Sequence, residues 1–300
     1  MEPLEPRLIV VPTDFSAPAA HALRYASSLA ERFGAHLLVI YADTFMVPVD
    51  FTATAVGAFD LPREAMIEEA REQLEGHAEQ CISARVPYEI RVVVDSPVAA
   101  ITDQVREVGA NLIVMGTHGR TGMRRLLMGS VTEAVIRVAS VPVLAVSPRT
   151  PETASIAKVL CPVNYTPACA AVLRTAAALT DTTTSPLLVV RGVEEHSLGL
   201  GFDEMPRLHA WVPPDLVGRC ELKLLAMGSP VEQIVGLARE AHASLIALGV
   251  STDRSLVDEV RGTLVERIVQ HSGCPVLTVN AFAARALQPA EKVSGLATAQ

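Results

Sequence analysis

The stretch with the clearest capacity for chemistry is Gly116-Thr117-His118-Gly119-Arg120-Thr121-Gly122-Met123-Arg124-Arg125-Leu126-Leu127-Met128-Gly129-Ser130, spaced as Gly-x2-Gly-x9-Gly-Ser. Glycine at 116 and 119 lets a backbone turn tightly and approach a ligand with no Cβ between them. Gly129-Ser130 opens a helical pattern, and the amides and positive dipole end of a helix start favour a phosphate. Arg120, Arg124 and Arg125 add three positive charges nearby. Nothing in the stretch matches Gly-x4-Gly-Lys-Ser/Thr, so it is not a P-loop. A structural reading competes with the chemical one: Ser130-Val131-Thr132-Glu133 matches a capping box, in which Ser130 only starts a helix. Asp14, in Val10-Val11-Pro12-Thr13-Asp14-Phe15-Ser16, is the second candidate. Its carboxylate can accept hydrogen bonds from ribose hydroxyls, or cap the next helix alongside Ser16.

These residues need a scaffold that brings them together. Short apolar runs at 8–11, 37–41, 88–94, 112–115 and 143–146 read as strands, and 18–33, 63–84, 98–108 and 131–139 as helices. Helix starts are signalled by Ser16 with Pro18, Ser96-Pro97, Thr166-Pro167 and Ser229-Pro230. Alternation of helices with wholly apolar strands predicts an α/β fold with a parallel sheet covered on both faces. Such sheets bind ligands at the carboxyl ends of their strands, beside a topological switch point. Asp14 and the glycine loop both fall at strand ends of that kind.

The pattern occurs twice. Val11-Pro12-Thr13-Asp14 recurs as Cys161-Pro162-Val163-Asn164, and Leu37-Leu38-Val39-Ile40 as Leu187-Leu188-Val189-Val190, both 150 residues on. Ser96-Pro97, Gly129-Ser130 and Val141-Pro142-Val143-Leu144 recur as Ser229-Pro230, Gly262-Thr263 and Cys274-Pro275-Val276-Leu277, all 133 residues on. The second copy is therefore 17 residues shorter between its second and third strands. Two tandem domains follow, 1–150 and 157–281, with 282–300 as a tail without a core pattern.

Half of the 300 residues are hydrophobic and mean hydropathy is +0.33, which excludes a disordered chain. A net charge of −8 argues against nucleic acid as a partner. No apolar run approaches the roughly 18 residues of a membrane span. The start of the chain lacks the pattern of a signal peptide. Five cysteines with no Cys-x-x-Cys pair indicate neither a zinc site nor a disulfide framework, so a reduced, cytoplasmic protein is expected.

Pro12-Thr13-Asp14-Phe15-Ser16, the Gly-x2-Gly-x9-Gly-Ser loop and Val141-Pro142-Val143-Leu144-Ala145-Val146 together resemble the universal stress protein family, and the loop resembles its ATP-binding branch. The resemblance implies two Rossmann-like domains joined as an internal pseudo-dimer through 143–146 and 276–279. It implies ATP as ligand, with ADP or AMP as alternatives and Mg brought by the nucleotide. Asp14 would contact the ribose or adenine end, with Pro12 and Thr13 in the same binding set, and Ala42 and Met115 would line the adenine pocket. Gly116, His118, Gly119, Arg120, Gly129, Ser130 and Val131 would surround the phosphates. The expected function is a stress-response or signalling module. A slow ATP hydrolase and a nucleotide-independent interaction scaffold are the alternatives, and no catalytic residue or metal ligand is assigned. A homodimer and an unidentified protein partner stay open.

The two copies are not equivalent. The second has Thr252 where Gly119 stands and Asn164 where Asp14 stands. Its loop at 249–263 carries Asp253, Asp258 and Glu259 against Arg254 and Arg261, a net of −1, whereas 116–130 carries +3. One nucleotide per chain, in the first half, is the expectation. The remaining polar candidates are weaker. The charge-rich 64–85 segment reads as an exposed helix face. His21, His36, His77, His196, His209, His242 and His271 show no ligand spacing. Trp211 with Val212-Pro213-Pro214 is expected to pack between the copies, with a partner surface as the alternative, and 44–60 to form a lid or a partner contact.

Overall fold

The computed structural model describes residues 5–44, 60–119, 128–193, 204–226, 228–250 and 264–287. The first half runs β1 (Leu8–Pro12), α1 (Ala17–Phe33), β2 (His36–Asp43), α2 (Asp60–Cys81), β3 (Tyr88–Val94), α3 (Pro97–Val108), β4 (Leu112–Gly116), α4 (Ser130–Val138) and β5 (Val143–Val146). The second repeats it as β6 (Val159–Pro162), α5 (Pro167–Leu179), β7 (Leu187–Val193), α6 (Glu204–Trp211), β8 (Cys220–Ala226), α7 (Pro230–Glu240), β9 (Leu245–Val250), α8 (Leu264–His271) and β10 (Val276–Asn280), followed by α9 (Ala281–Ala286). The shortening between the second and third strands of the repeat appears as helix length: α2 has 22 residues and α6 has 8.

All ten strands form one sheet, in the order β3-β2-β1-β4-β5-β10-β9-β6-β7-β8. Every pairing is parallel except β5 with β10, where Leu144 faces Leu277 and Ala145 faces Val276. The order reads identically outward from that central pair, so the halves form an internal pseudo-dimer. In each half the order reverses between the first and fourth strands, and Ile9 pairs with Leu112 as Val159 pairs with Leu245. A crevice therefore opens beyond the carboxyl ends of β1 and β4.

The inner strands are largely apolar because both faces are covered, whereas the edge strands β3 and β8 carry Glu89, Arg91, Glu221 and Lys223. Successive side chains alternate between faces: Ile9 and Val11 join the core under α1, α2, α5, α6 and α9, whereas Val10 joins the core under α3, α4, α7 and α8. The segment before β6 and the end of α5 fasten to the first half through Arg32, which donates to the Ala154 and Leu179 carbonyls and to Asp181. Ala154 N also donates to Ser28 Oγ at 3.0 Å.

Two expectations differ from the observed fold. The start of the expected tail forms α9, because Asn280 caps it and the small Ala283 and Ala284 bury against the core beside α5. Trp211 packs within the second half, edge-on to Tyr165 at 5.8 Å, and not between the copies. With Leu208, Val212 and Leu216 buried beside it, the shortened helix closes over its own sheet. Most of the 44–60 segment lies outside the described residues.

Candidate functional site

At the carboxyl end of β1 the backbone of Thr13 donates to the Ile40 carbonyl, extending the β1–β2 pairing by one residue. The chain then turns through Phe15 at φ 64°, a left-handed conformation that is uncommon for a bulky residue. The turn is held by side chains. Phe15 N donates to Thr13 Oγ1 at 3.1 Å, and Ser16 N donates to Asp14 Oδ1 at 3.1 Å. Phe15 itself packs on Tyr41 at 4.6 Å and edge-on to His77 at 5.5 Å. Ser16 Oγ then accepts from Ala19 N and caps α1. Ser16, and not Asp14, is thus the side-chain cap. Asp14 sets the turn with one oxygen and directs the other toward Gly119, where a Cβ would lie 2.6 Å from Oδ2.

The end of β4 approaches the same turn. A Cβ on Gly116 would meet the Pro18 carbonyl oxygen at 2.9 Å, so this glycine is required for close strand–helix packing. The chain continues through Thr117 to His118, whose Nδ1 shares a 2.8 Å hydrogen bond with Thr117 Oγ1. His118 Nε2 is buried and has no hydrogen-bond partner among the described residues. Burial, with Arg149 acting in the same direction, holds this imidazole below its ordinary pKa.

The capping box does not form. Gly129 is the N-cap of α4, Ser130 is its first helical residue, and no side chain caps the helix. The first intrahelical bond runs from Glu133 N to the Gly129 carbonyl. The amides of Ser130, Val131 and Thr132 therefore sit at the open, positive end of the helix. Thr132 instead ties that end to β4, its Oγ1 donating to the Gly116 carbonyl at 2.8 Å. Gly129 N donates to the Thr117 carbonyl at 2.8 Å, which closes the loop on itself.

Between these elements lies a cavity of about 330 Å³, lined by Pro12, Thr13, Asp14, Ala42, Met115, Gly116, His118, Gly119, Gly129, Ser130 and Val131. Its size falls within the range of small-ligand sites, about 300–1,000 Å³. Every site residue expected from the sequence lines it except Arg120, which lies outside the described residues together with Arg124 and Arg125. Ala19, Ile40, Pro97, Ile101 and Thr132 also line it and were not foreseen. Pro97 carried a signal as a helix start, and the starts of α1, α3 and α4 all reach this crevice.

His77 was also missed. It reaches Thr13 Oγ1 from α2 at 3.1 Å. Its only sequence signal is its place beside the buried Leu74 and Ala78 on the inner face of that helix. Burial holds its pKa below the ordinary value, with Arg24 adding to the effect and Asp14 opposing it. Among the described residues no group of three or more His, Cys, Asp or Glu is arranged to hold a metal ion, and no helix is long and apolar enough to cross a membrane.

A parallel sheet that reverses its strand order beside an uncapped helix start defines an open, Rossmann-like α/β fold. The chain belongs to the universal stress protein family, whose sequence model matches residues 6–147 and 215–280. Universal stress protein MJ0531 of Methanocaldococcus jannaschii is 35% identical over 138 residues, 46% of this chain and 80% of that protein. Universal stress protein Rv2005c of Mycobacterium tuberculosis is 32% identical over 136 residues, 45% of this chain and 44% of that protein. The crystal structure of a universal stress protein from Archaeoglobus fulgidus superimposes with a TM-score of 0.69 at 18% identity, covering 92% of this chain and 97% of that one. This last likeness establishes the fold over both halves.

Proposed function

We propose that the chain binds one adenine nucleotide, ATP foremost and ADP or AMP as alternatives, in the first-half cavity, and that it serves as a nucleotide-responsive stress or signalling module. In this reading residues 1–150 form the binding domain and 157–281 a scaffold domain with a degenerate site. The observation that carries it is the convergence of the Asp14 carboxylate and the uncapped start of α4 on one cavity. A ribose hydroxyl would donate to Asp14 Oδ2, and phosphate oxygens would accept from the amides of Ser130 and Val131 and from the Ser130 hydroxyl. Apolar Ala42, Met115 and Ile40 suit the face of a base.

Two features of the site fit such a group. The Nε2 of His118 is a buried polar atom without a partner among the described residues, and a ligand oxygen can supply one. Gly119 leaves open the space beside Asp14 that any side chain would take. Mg would arrive with the nucleotide and neutralise phosphate charge.

The test is the adenine-nucleotide content of purified, denatured protein, identified by chromatography. About one per chain is expected. None, together with no thermal stabilisation on adding ATP, would overturn the proposal and favour a nucleotide-independent scaffold.

A further inference from the structure

Asn280, at the end of β10, is 2% exposed and uses its full hydrogen-bonding capacity on two helices from opposite halves. Its Nδ2 donates to the carbonyls of Ile136 and Ala139, both at 2.9 Å, at the carboxyl end of α4. Its Oδ1 accepts from the amides of Phe282 and Ala283, both at 2.9 Å, at the start of α9. The four bonds fix the amide orientation, because a flipped side chain would set donors against amides. One buried side chain therefore ends the helix whose other end opens the first-half cavity, and begins the last described helix of the second half.

The repeat does not require this arrangement. The residue 133 positions earlier is Ser147, whose Oγ accepts from Arg149 N at 3.3 Å within a tight turn. The end of α8, the counterpart of α4, is served by its own Ser272, whose Oγ is placed to donate to the Val269 carbonyl at 3.4 Å and to the Cys274 carbonyl at 2.9 Å. Among the described residues only α4 is tied to the other half by an asparagine. A second tie reinforces it: Arg137 of α4 pairs with Glu133 and lies 3.9 Å from Glu266 of α8. Helix α4 has nine residues, a length of about 13 Å, and Thr132 anchors its first turn to β4.

We propose that Asn280 is a positioning residue that couples occupancy of the first-half cavity to the docking of α9. The inference rests on the nucleotide reading above. An anion held at the start of α4 fixes the helix along its axis, and so fixes the Ile136 and Ala139 carbonyls that orient Asn280. A correctly oriented Asn280 caps α9, whose Ala283 and Ala284 then bury. Linkage makes the effect reciprocal: undocking α9 weakens nucleotide binding by the factor by which nucleotide strengthens docking. The second half thereby acts as the responding part of the molecule, with α9 as its output.

Hydrogen exchange read by mass spectrometry on the full chain, with and without saturating ATP, tests the coupling. In the wild type, ATP is expected to slow exchange of both 129–133 and 281–287, the latter about fivefold, the low end of ordinary coupling. Asn280→Ala should weaken ATP binding by a similar factor and leave exchange at 281–287 fast and insensitive to ATP. Ala283→Gln, which undocks α9 while keeping Asn280, should weaken ATP binding likewise and guards against a misfolded Asn280 variant. Protection at 129–133 without any change at 281–287 in the wild type overturns the coupling alone. Absence of protection at both overturns the nucleotide reading and the coupling with it.

Discussion

The two halves share a backbone plan and differ in what stands at the ends of β1 and β6. Both turn through a left-handed aromatic, Phe15 at φ 64° and Tyr165 at φ 63°, and both place a glycine where the fourth strand packs against the first helix of its half. The first half lines the resulting crevice with Thr13, Asp14, Ala19 and Thr132; the same positions in the second are Val163, Asn164, Cys169 and Val265. The consequences are geometric. Asn164 Oδ1 accepts from Thr166 Oγ1 at 2.8 Å and from the Cys169 thiol at 3.0 Å, so its oxygen is engaged with the first turn of α5. The Cys169 thiol occupies space that Ala19 leaves open in the first half. Tyr165 is stacked by the Arg191 and Arg207 guanidinium groups and donates to Glu204 at 2.7 Å. Conserving a fold by repetition is thus separable from conserving a cavity. The glycine and the left-handed turn survive because packing needs them, while the polar lining is free to be replaced.

The sharpest way to break this comparison is at Gly119. Gly119→Val places a branched side chain against the Asp14 carboxylate and should weaken nucleotide binding by roughly 100-fold, about 2.7 kcal/mol, in titration calorimetry. Thr252→Val, at the matching position, should leave binding unchanged. Equal losses would mean that the halves do not differ as described.

Packing glycines should respond in the opposite way, affecting both halves. Gly116→Ala and Gly249→Ala each press a Cβ against helix backbone, at 2.9 Å from Pro18 O and 2.6 Å from Cys169 N. Each should cost about 1–3 kcal/mol in urea unfolding, with the second at least as costly as the first. Tolerance of alanine at 249 would show that the second half packs less tightly than the first.

Exchanging the carboxylate and amide should have a smaller effect. Asp14→Asn is expected to reduce affinity about tenfold, near 1.4 kcal/mol. Asn164→Asp should create no second site, because Val163 and Cys169 remain. A second bound nucleotide per chain in that variant would reassign the asymmetry to this one atom.

The smallest effect concerns pH. His77 is held below its ordinary value of 6.5, chiefly by burial, so the unfolded chain takes up this proton first as pH falls. Its contribution to stability is full above about 6.5 and declines as pH falls through that value toward the lower folded one. His77→Gln should flatten the fall in Tm across that window. In the second half Trp211 occupies the edge-on position against Tyr165 and does not titrate, so the same region there should show no such dependence.

The pairing of the halves through 143–146 and 276–279 and most of the cavity lining were legible only through the family resemblance, whereas the sequence by itself determined the repeat, the strand and helix alternation, and the place of Asp14 and the glycine loop at strand ends. Those features are local: apolar runs, proline-marked helix starts and glycine spacing act within a few residues, and parallel sheets place strand ends together by rule. The tertiary structure alone decided the rest. Ser130 became a helical residue and not a cap because Gly129 bonds Thr117 and shifts the helix start by one position. His77 joined the Thr13 turn because α2 folds back against α1, β2 and β3, a contact 64 residues apart in the chain. Asn280 acquired its role only when β10 paired with β5 and brought the end of α4 within reach. Hydrogen bonds between distant segments have no periodic signature along the chain, so they become visible only once the sheet has set the distances.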